Sequence, residues 1–340
     1  LAQLELLLLV PRVRSVFSSA SAKVVQLGNA GPPGTGAAGW RAVTRVLRST
    51  AGSTLADLLN TIFPSDCRLC GAPLTDLGAL PVCTPCIESI QPQPTDQPQC
   101  TRCGELLGME SLRFASALGV TECTLCRMAP PDYSRAVAFA PYDNELRDLL
   151  HLLKFEGQRS LATHLLADGL ATAILQLRER AAAELTVIPV PLFAARQRSR
   201  GFNQSALLAT AALKRLHKLA PAWQLTLDTT ILERTKDTRA LFTLAPHQRR
   251  AGLRGAFRVA NRAAIRDREV LLLDDILTTG ATARECSRVL LRAGAAKVWV
   301  ATVARAQPED IAAVESANNI ARWDAPPPFQ QPNPHLQRSF

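Results

Sequence analysis

Val270-Leu271-Leu272-Leu273-Asp274-Asp275-Ile276-Leu277-Thr278-Thr279-Gly280-Ala281-Thr282 decides how the rest of this sequence is read. Four apolar residues in a row, with no polar alternation, fit a strand covered on both faces, as in a parallel sheet between helices. Two carboxylates come where such a strand should emerge from the core. Three threonines and a glycine lead into a helical pattern: Cys286, Val289, Leu290 and Ala293 fall at i, i+3, i+4 and i+7, with Gly294 as the stop. Thr282 and Glu285 have the spacing of a capping box. A strand, a short polar loop and a helix N-terminus form an anion site at the carboxyl end of a sheet. The backbone N–H groups and hydroxyls of Thr278, Thr279, Gly280, Ala281 and Thr282 can hold a phosphate. Asp274 and Asp275 can accept from a pair of vicinal hydroxyls, and a phosphate beside a diol describes a ribose 5-phosphate.

The 340 residues, 47% of them hydrophobic, leave room for two domains plus tails. No apolar run approaches the roughly 20 residues needed to span a bilayer. Leu6–Val10 is apolar, but Glu5 precedes it and Arg12 and Arg14 follow, the wrong order for a secretory signal. A cytoplasmic location is therefore the expectation. The net charge of +10 is uneven: residues 61–130 carry four Lys/Arg and seven Asp/Glu, while residues 131–340 carry 29 and 20. The basic excess thus sits with the phosphate-like motif, as a polyanionic ligand or nucleic acid requires, although arginines scattered over solvated faces give the same count.

Residues 1–62 read as a largely flexible leader, with a short helix at 53–62 (Leu55, Leu58, Leu59, Ile62). Its Gly31–Gly39 stretch imitates a Walker A loop, but Ala37 and Ala38 stand where the phosphate-binding Lys and the Ser/Thr belong. Residues 63–129 hold eight of the nine cysteines as four Cys-x-x-Cys pairs: Cys67/Cys70, Cys83/Cys86, Cys100/Cys103 and Cys123/Cys126. Each pair on a tight knuckle puts two thiolates on one side of a metal, and two knuckles complete a tetrahedron. The expectation is two structural Zn²⁺ sites of four thiolates each. Sequential pairing of the knuckles is the simplest arrangement and interleaving the alternative.

Pro130-Pro131 opens a second domain, residues 130–305, with strands and helices in alternation: a strand at Arg135–Pro141, a helix at Asn144–Phe155, another at Leu161–Leu177, and a strand at Leu185–Leu192. An arginine-rich loop, Arg196–Gln204, follows that strand and suits a diphosphate; a solvated basic turn is the plainer reading. A helix to about Leu219 comes next, and Lys297–Val303 supplies a final strand. Residues 306–340 are Ala-, Pro- and Gln-rich and read as a flexible tail. His151 and His164 sit in helical stretches as packing or surface residues, and no residue declares itself a general acid or base.

The Asp-Asp stretch resembles the phosphoribosyl pyrophosphate (PRPP) signature of the type I phosphoribosyltransferases at every position. With the cysteine pairs, Leu153-Lys154-Phe155-x-Gly157, Pro189-Val190-Pro191, Arg200-Gly201-Phe202-Asn203-Gln204, Arg234 with Thr238, and Arg249 before Gly255-Ala256-Phe257, the chain resembles the ComF family of competence-associated proteins from about Phe63 to Arg305. Leu241 and Gly252 depart from that pattern, which usually has Gln and Asn there, so no contact from that segment is carried over.

The resemblance implies an α/β fold: a type I phosphoribosyltransferase-like, mostly parallel sheet with flanking helices, preceded by a small double zinc-ribbon module. It implies PRPP bound with Mg²⁺ through Asp274, Asp275, the Thr278–Thr282 loop and Arg200, in DNA uptake or nucleotide metabolism. It also implies a phosphoribosyl transfer in which pyrophosphate leaves the anomeric carbon. The alternative is a non-catalytic, single-stranded DNA-binding competence factor that works with other competence or recombination proteins, its pocket structural or a ligand sensor.

Overall fold

The computed structural model describes residues 66–74, 80–94, 97–109, 112–113, 119, 121–238 and 252–307. The leader with its helix at 53–62, the Gly31–Gly39 stretch, Leu241, Arg249 and the tail beyond Gln307 lie outside the described residues. The chain divides after Ser89 into two compact units.

Each unit carries one four-cysteine cluster, and both are built by the same local device. In the first, the Cys67 N–H donates to the Ala72 carbonyl at 2.7 Å and the Gly71 N–H to Cys67 at 2.8 Å. In the second, the Cys100 N–H donates to Glu105 at 2.8 Å and the Gly104 N–H to Cys100 at 2.9 Å. Gly71 and Gly104 close these knuckles at φ 74° and 70°, where a side chain would be strained. Opposite each knuckle a short helix, α1 (Thr84–Glu88) or α2 (Thr124–Met128), starts at the third cysteine of the set, Cys83 or Cys123. The repeat is hard to see in the sequence because 12 residues separate the knuckles in one copy and 19 in the other.

The second unit is built on a five-stranded parallel sheet in the order β1-β7-β6-β2-β3. Its strands are β1 (Arg135–Pro141), β2 (Glu184–Pro189), β3 (Gln224–Leu227), β6 (Glu269–Leu277) and β7 (Lys297–Arg305). A separate antiparallel pair joins β4 (Leu232–Arg234) to β5 (Phe257–Val259). β6 is the central strand, and Val270 to Leu273 are completely buried, as an apolar run without alternation demands. The expected strands and the helix α3 (Asn144–Phe155) appear, although the strand expected at Leu185–Leu192 ends at Pro189 and the last strand runs on to Arg305. The expected helix at 161–177 is instead a turn, Arg159–Leu161, a π-helical turn, Ala162–Leu166, and then α4 (Ala167–Leu175).

Residues 196–204 also differ from expectation. Ala194–Arg200 forms a helix, α5, rather than an open loop, and Gly201 at φ 76° ends it. Ala, Gln and Arg are good helix formers, and Arg198 and Arg200 in the last turn suit the negative end of the helix. Asn203 then starts α6 (Gln204–Leu219), its side chain accepting from the Ser205 and Ala206 N–H groups.

Helices cover the sheet: α4 and α6 pack on each other, α4 against β1 and β7, α6 against β2, β3 and β6. α7 (Ala281–Arg292) packs on β5, β6 and β7. One core cluster joins Cys286 and Leu290 of α7 to Val270, Leu272, Val298 and Val300 of the sheet and to Cys100, Cys103, Cys123, Cys126 and Tyr133. The second cysteine cluster is thus part of a layer of this domain. Among the described residues no helix is long and apolar enough to cross a membrane.

The closeness of α4 to the sheet gives a direct test. A Cβ at Gly169 would lie 2.5 Å from Phe139 Cδ1 and 2.7 Å from its Cγ. Gly169→Ala gains about 1 kcal/mol of helix propensity but overpacks the layer at a cost of about 1–3 kcal/mol. Thermal denaturation should show a lowered Tm; a raised one would mean the helix stands off the sheet.

Candidate functional site

The order of the strands fixes where a site can form. From β2 the chain steps outward to β3, and from β6 it steps the other way to β7, so successive crossovers diverge between β2 and β6. At such a switch point the loops at the carboxyl ends part and leave a crevice. Here those loops are Val190–Phe193 with α5, after β2, and Thr278–Gly280, after β6.

Asp274 and Asp275 lie towards the carboxyl end of β6, Asp274 opposite Thr302 on β7 and both just past the Pro189–Leu273 pair at which the pairing with β2 ends. Successive residues of a strand face opposite ways, and the two carboxylates find different partners. Asp274 Oδ1 accepts from the Ser205 hydroxyl at 2.9 Å, at the N-terminus of α6, and from the Asp275 N–H at 2.9 Å. Asp275 is buried; its Oδ1 accepts from the Ile276 N–H at 3.0 Å, and the Lys154 ammonium lies 2.5 Å from Oδ2. Burial first, and then the Asp275 charge, push the Asp274 carboxyl up to about 8, against the pull of the Ser205 hydroxyl.

Thr278, Thr279 and Gly280 run from β6 into α7, with Gly280 as N-cap at φ 73°. The expected capping box is absent. No side chain caps this helix; Thr282 lies inside its first turn, and Glu285 turns away to accept from the Gly255 N–H at 2.7 Å and to pair with Arg288. The reason is geometric: a left-handed glycine enters the helix without the extended cap residue that a capping box needs. The N–H groups of the first turn are therefore left without a side-chain acceptor, the arrangement that takes up an anion.

Arg200 reaches the same end of the sheet through a chain of contacts. Its Nη1 donates to Gln204 at 2.8 Å and its guanidinium lies 5.4 Å over the Phe155 ring, next to the Lys154 that holds Asp275. Arg159 lies 4.7 Å over Phe202. The structure thus brings Asp274, Asp275, the Thr278–Thr282 loop and Arg200 to one edge. Lys154 and Ser205 were missed as contributors. Lys154 stands within a quoted motif, yet nothing in a helical Lys announces that it will reach a carboxylate 121 positions away. Arg234 was also missed as a charge near Asp274; it donates to Thr238 and packs over Phe257.

The eight knuckle cysteines form two groups, Cys67, Cys70, Cys83 and Cys86, and Cys100, Cys103, Cys123 and Cys126, with the four sulfurs of each within 4.8 Å of one another. The pairing is sequential. Sulfur separations of 3.6 Å for Cys70–Cys83 and 3.7 Å for Cys103–Cys123 match the roughly 3.8 Å edge of a tetrahedron with metal–sulfur bonds of about 2.3 Å. Four sulfurs this close cannot all be ionised without a cation among them: contacts with Cys100 and Cys103 push the Cys123 and Cys126 thiols up. Against the cost of burial, N–H donors from Cys83, Cys70 and Leu69 bring Cys67 down to about 6. The donor set can hold a dication in each cluster. The first is partly open, with Cys70 exposed, and the second is buried throughout.

The two aspartates should respond oppositely to neutralisation. With its folded pKa raised, Asp274 binds a proton that the unfolded chain releases near pH 4, so its contribution to stability is lost as pH climbs from about 4 to about 8. Asp274→Asn should match the parent near pH 4 and melt several degrees higher at pH 8. Asp275→Asn should lose about 3 kcal/mol of stability and so melt lower at neutral pH, because it leaves the Lys154 ammonium unpaired in a mostly buried place. Melting curves across pH decide it, and equal shifts for the two variants would contradict the geometry.

No protein-family model matches the chain. Among curated proteins it is similar to the DNA utilization protein YhgH of Escherichia coli O157:H7, 33% identical over 239 residues that cover 70% of this chain and 95% of that one. It is also similar to competence protein F of Haemophilus influenzae, 30% identical over 217 residues, 62% of this chain and 85% of the other. Solved structures that overlap it include a hypoxanthine phosphoribosyltransferase of Staphylococcus aureus (TM-score 0.28, 13% identity, 42% of this chain and 74% of that one). Another is the protein TT1426 of Thermus thermophilus (TM-score 0.24, 19% identity, 46% and 78%). Overlaps that loose do not bear on chemistry. The sequence relatives show the family: with 33% identity over 95% of a YhgH protein and 30% over 85% of competence protein F, this chain belongs to the ComF family of competence-associated proteins.

Proposed function

We propose that this protein binds PRPP, with Mg²⁺, at the crevice between β2 and β6, and that it serves DNA uptake or DNA use as a phosphoribosyltransferase-like member of its family. The names of its relatives, DNA utilization protein YhgH and competence protein F, support the setting. The observation that carries the ligand is the juxtaposition, at one strand end, of two carboxylates with different partners and an uncapped helix N-terminus entered through Thr278-Thr279-Gly280. In this reading the N–H groups of the loop take the 5-phosphate. Asp274 and Asp275 accept from the ribose hydroxyls, and Arg200 faces the diphosphate beside Mg²⁺. Phosphoribosyl transfer would then depend on positioning and on neutralising the charge of departing pyrophosphate. Among the described residues none is assigned as general acid or base: His151 lies against Phe155 at a ring separation of 5.1 Å and His164 is exposed in the π-helical turn.

A single-stranded DNA reading has one observation in its favour, the alternation of rings and guanidiniums in Phe155, Arg159, Arg200 and Phe202. Zinc in both cysteine clusters completes the proposal. Four thiolates leave no open coordination position, so the metal serves the fold.

Elemental analysis should find two zinc ions per chain. Release to a chelator should be biphasic, the fast phase belonging to the cluster with exposed Cys70 and disappearing in Cys70→Ser. Fewer than one zinc, or a single phase for both ions, would refute this. Calorimetry with PRPP and Mg²⁺ should show saturable binding that strengthens between pH 6 and pH 8, by up to about tenfold per pH unit, since Asp274 must lose its proton to accept from two hydroxyls. Asp274→Asn should weaken binding by about tenfold or more and remove that pH dependence. Binding of short single-stranded DNA that falls steeply with salt, in a protein that takes no PRPP, would favour the second reading instead.

A further inference from the structure

The second cysteine cluster and the Thr278–Thr282 loop share a pair of arginines. Arg305, at the end of β7, is buried, and its guanidinium is fully engaged. Nε donates to the Cys103 carbonyl at 3.1 Å. Nη2 lies 3.6 Å from Cys103 Sγ and 3.1 Å from Glu105 Oε2. Nη1 donates to the carbonyls of Leu277 at 3.2 Å, Thr278 at 2.7 Å and Ala306. Arg284, in the first turn of α7, donates from Nη1 to the Ala129 carbonyl at 2.6 Å and brings Nη2 to 4.0 Å from Cys126 Sγ. Tyr133 is fully buried, and its hydroxyl would lie 3.5 Å from a Cβ placed on Gly280. Both ends of the loop are thus tied to the frame of one cluster.

The contact to Thr278 has a geometric consequence. The peptide between Thr278 and Thr279 is trans, so its carbonyl and its N–H point in opposite directions. With the carbonyl drawn onto Arg305, the Thr279 N–H is aimed away from Arg305. A flipped peptide would present an oxygen to an incoming phosphate and repel it. The charges agree with this division of labour. A dication among four thiolates leaves an excess of two negative charges, and one arginine stands at Cys103 and another at Cys126. Lys would supply the charge but not the planar fork that spans sulfur, carboxylate and carbonyl together.

We propose that Arg305, assisted by Arg284, is a positioning residue that couples the metal-loaded second cluster to the phosphate loop, so that loading Cys100, Cys103, Cys123 and Cys126 with zinc sets the Thr278–Thr279 peptide for anion binding. This rests on the PRPP reading only for the identity of the anion; the coupling itself is a property of the ligand-free chain. The first cluster lies in the other compact unit and serves as an internal comparison.

The test uses the full chain and hydrogen exchange read by mass spectrometry, with zinc release to a chromogenic chelator alongside. In Arg305→Met, exchange over residues 277–284 should rise about tenfold or more, and one of the two zinc ions should leave about tenfold faster, while the other keeps its parental rate. Arg305→Lys should restore zinc retention in part but not the protection of the loop. PRPP affinity should fall about tenfold in both variants. Should Arg305→Met fail to fold, the parent stripped of zinc decides: the loop should lose protection while Val270–Leu273 keeps it. Loop exchange that is the same in stripped and loaded protein overturns the proposal. A uniform rise across the whole second unit overturns it too, since the metal then serves the fold alone. A parent that binds no PRPP but shows the local coupling would defeat the ligand assignment and leave the coupling standing.

Discussion

A strand buried on both faces can carry polar side chains only at its end, and that constraint governs this protein. β6 lies between β7 and β2, with Val270 to Leu273 wholly out of solvent. After Glu269 at its start, which is taken up by Ala182, Trp299 and Lys297, its next side chains able to bind anything are Asp274 and Asp275. The crossovers diverge beside this strand, so the point where β6 turns polar is also where the fold opens a crevice. A helix N-terminus arrives at the same edge because the chain must turn through Thr278–Gly280 to place α7 on the sheet.

Holding two adjacent carboxylates at such an edge has an electrostatic cost, and the alternation of the strand relieves part of it. One carboxylate receives a hydroxyl from Ser205 and is pushed towards neutrality; the other receives the ammonium of Lys154. The free protein thus stores a proton where a ligand rich in hydroxyls would demand a charge. The cysteine clusters solve a related problem. Crowded sulfurs need a cation among them, and in the second cluster two arginines stand at the sulfurs as well.

Much of this arrangement could be read from residue order alone. The central strand and α3 followed from residue pattern, the end of α6 near Leu219 was expected, and the cysteine spacing foretold both four-thiolate groups. Local signals failed where tertiary contacts compete for the same residue. Glu285 has capping-box spacing but bonds to Gly255, 30 positions earlier, and Arg196–Arg200 is helical although its glycine and charges suggested a loop. Lys154, Ser205 and Arg305 were invisible for a related reason. Each acts across a sequence separation that no spacing rule encodes, and each is of a residue type that is ordinarily spent on the surface.

The most direct measurement is the change in backbone amide resonances when PRPP and Mg²⁺ are added to the zinc-loaded protein. The account predicts saturable shifts centred on Thr279 to Thr282 and on Asp274 and Asp275, with smaller ones at Cys103 and Ala306 through Arg305. Shifts confined to the Phe155, Arg159, Arg200 and Phe202 surface, or none at the end of β6, would contradict it.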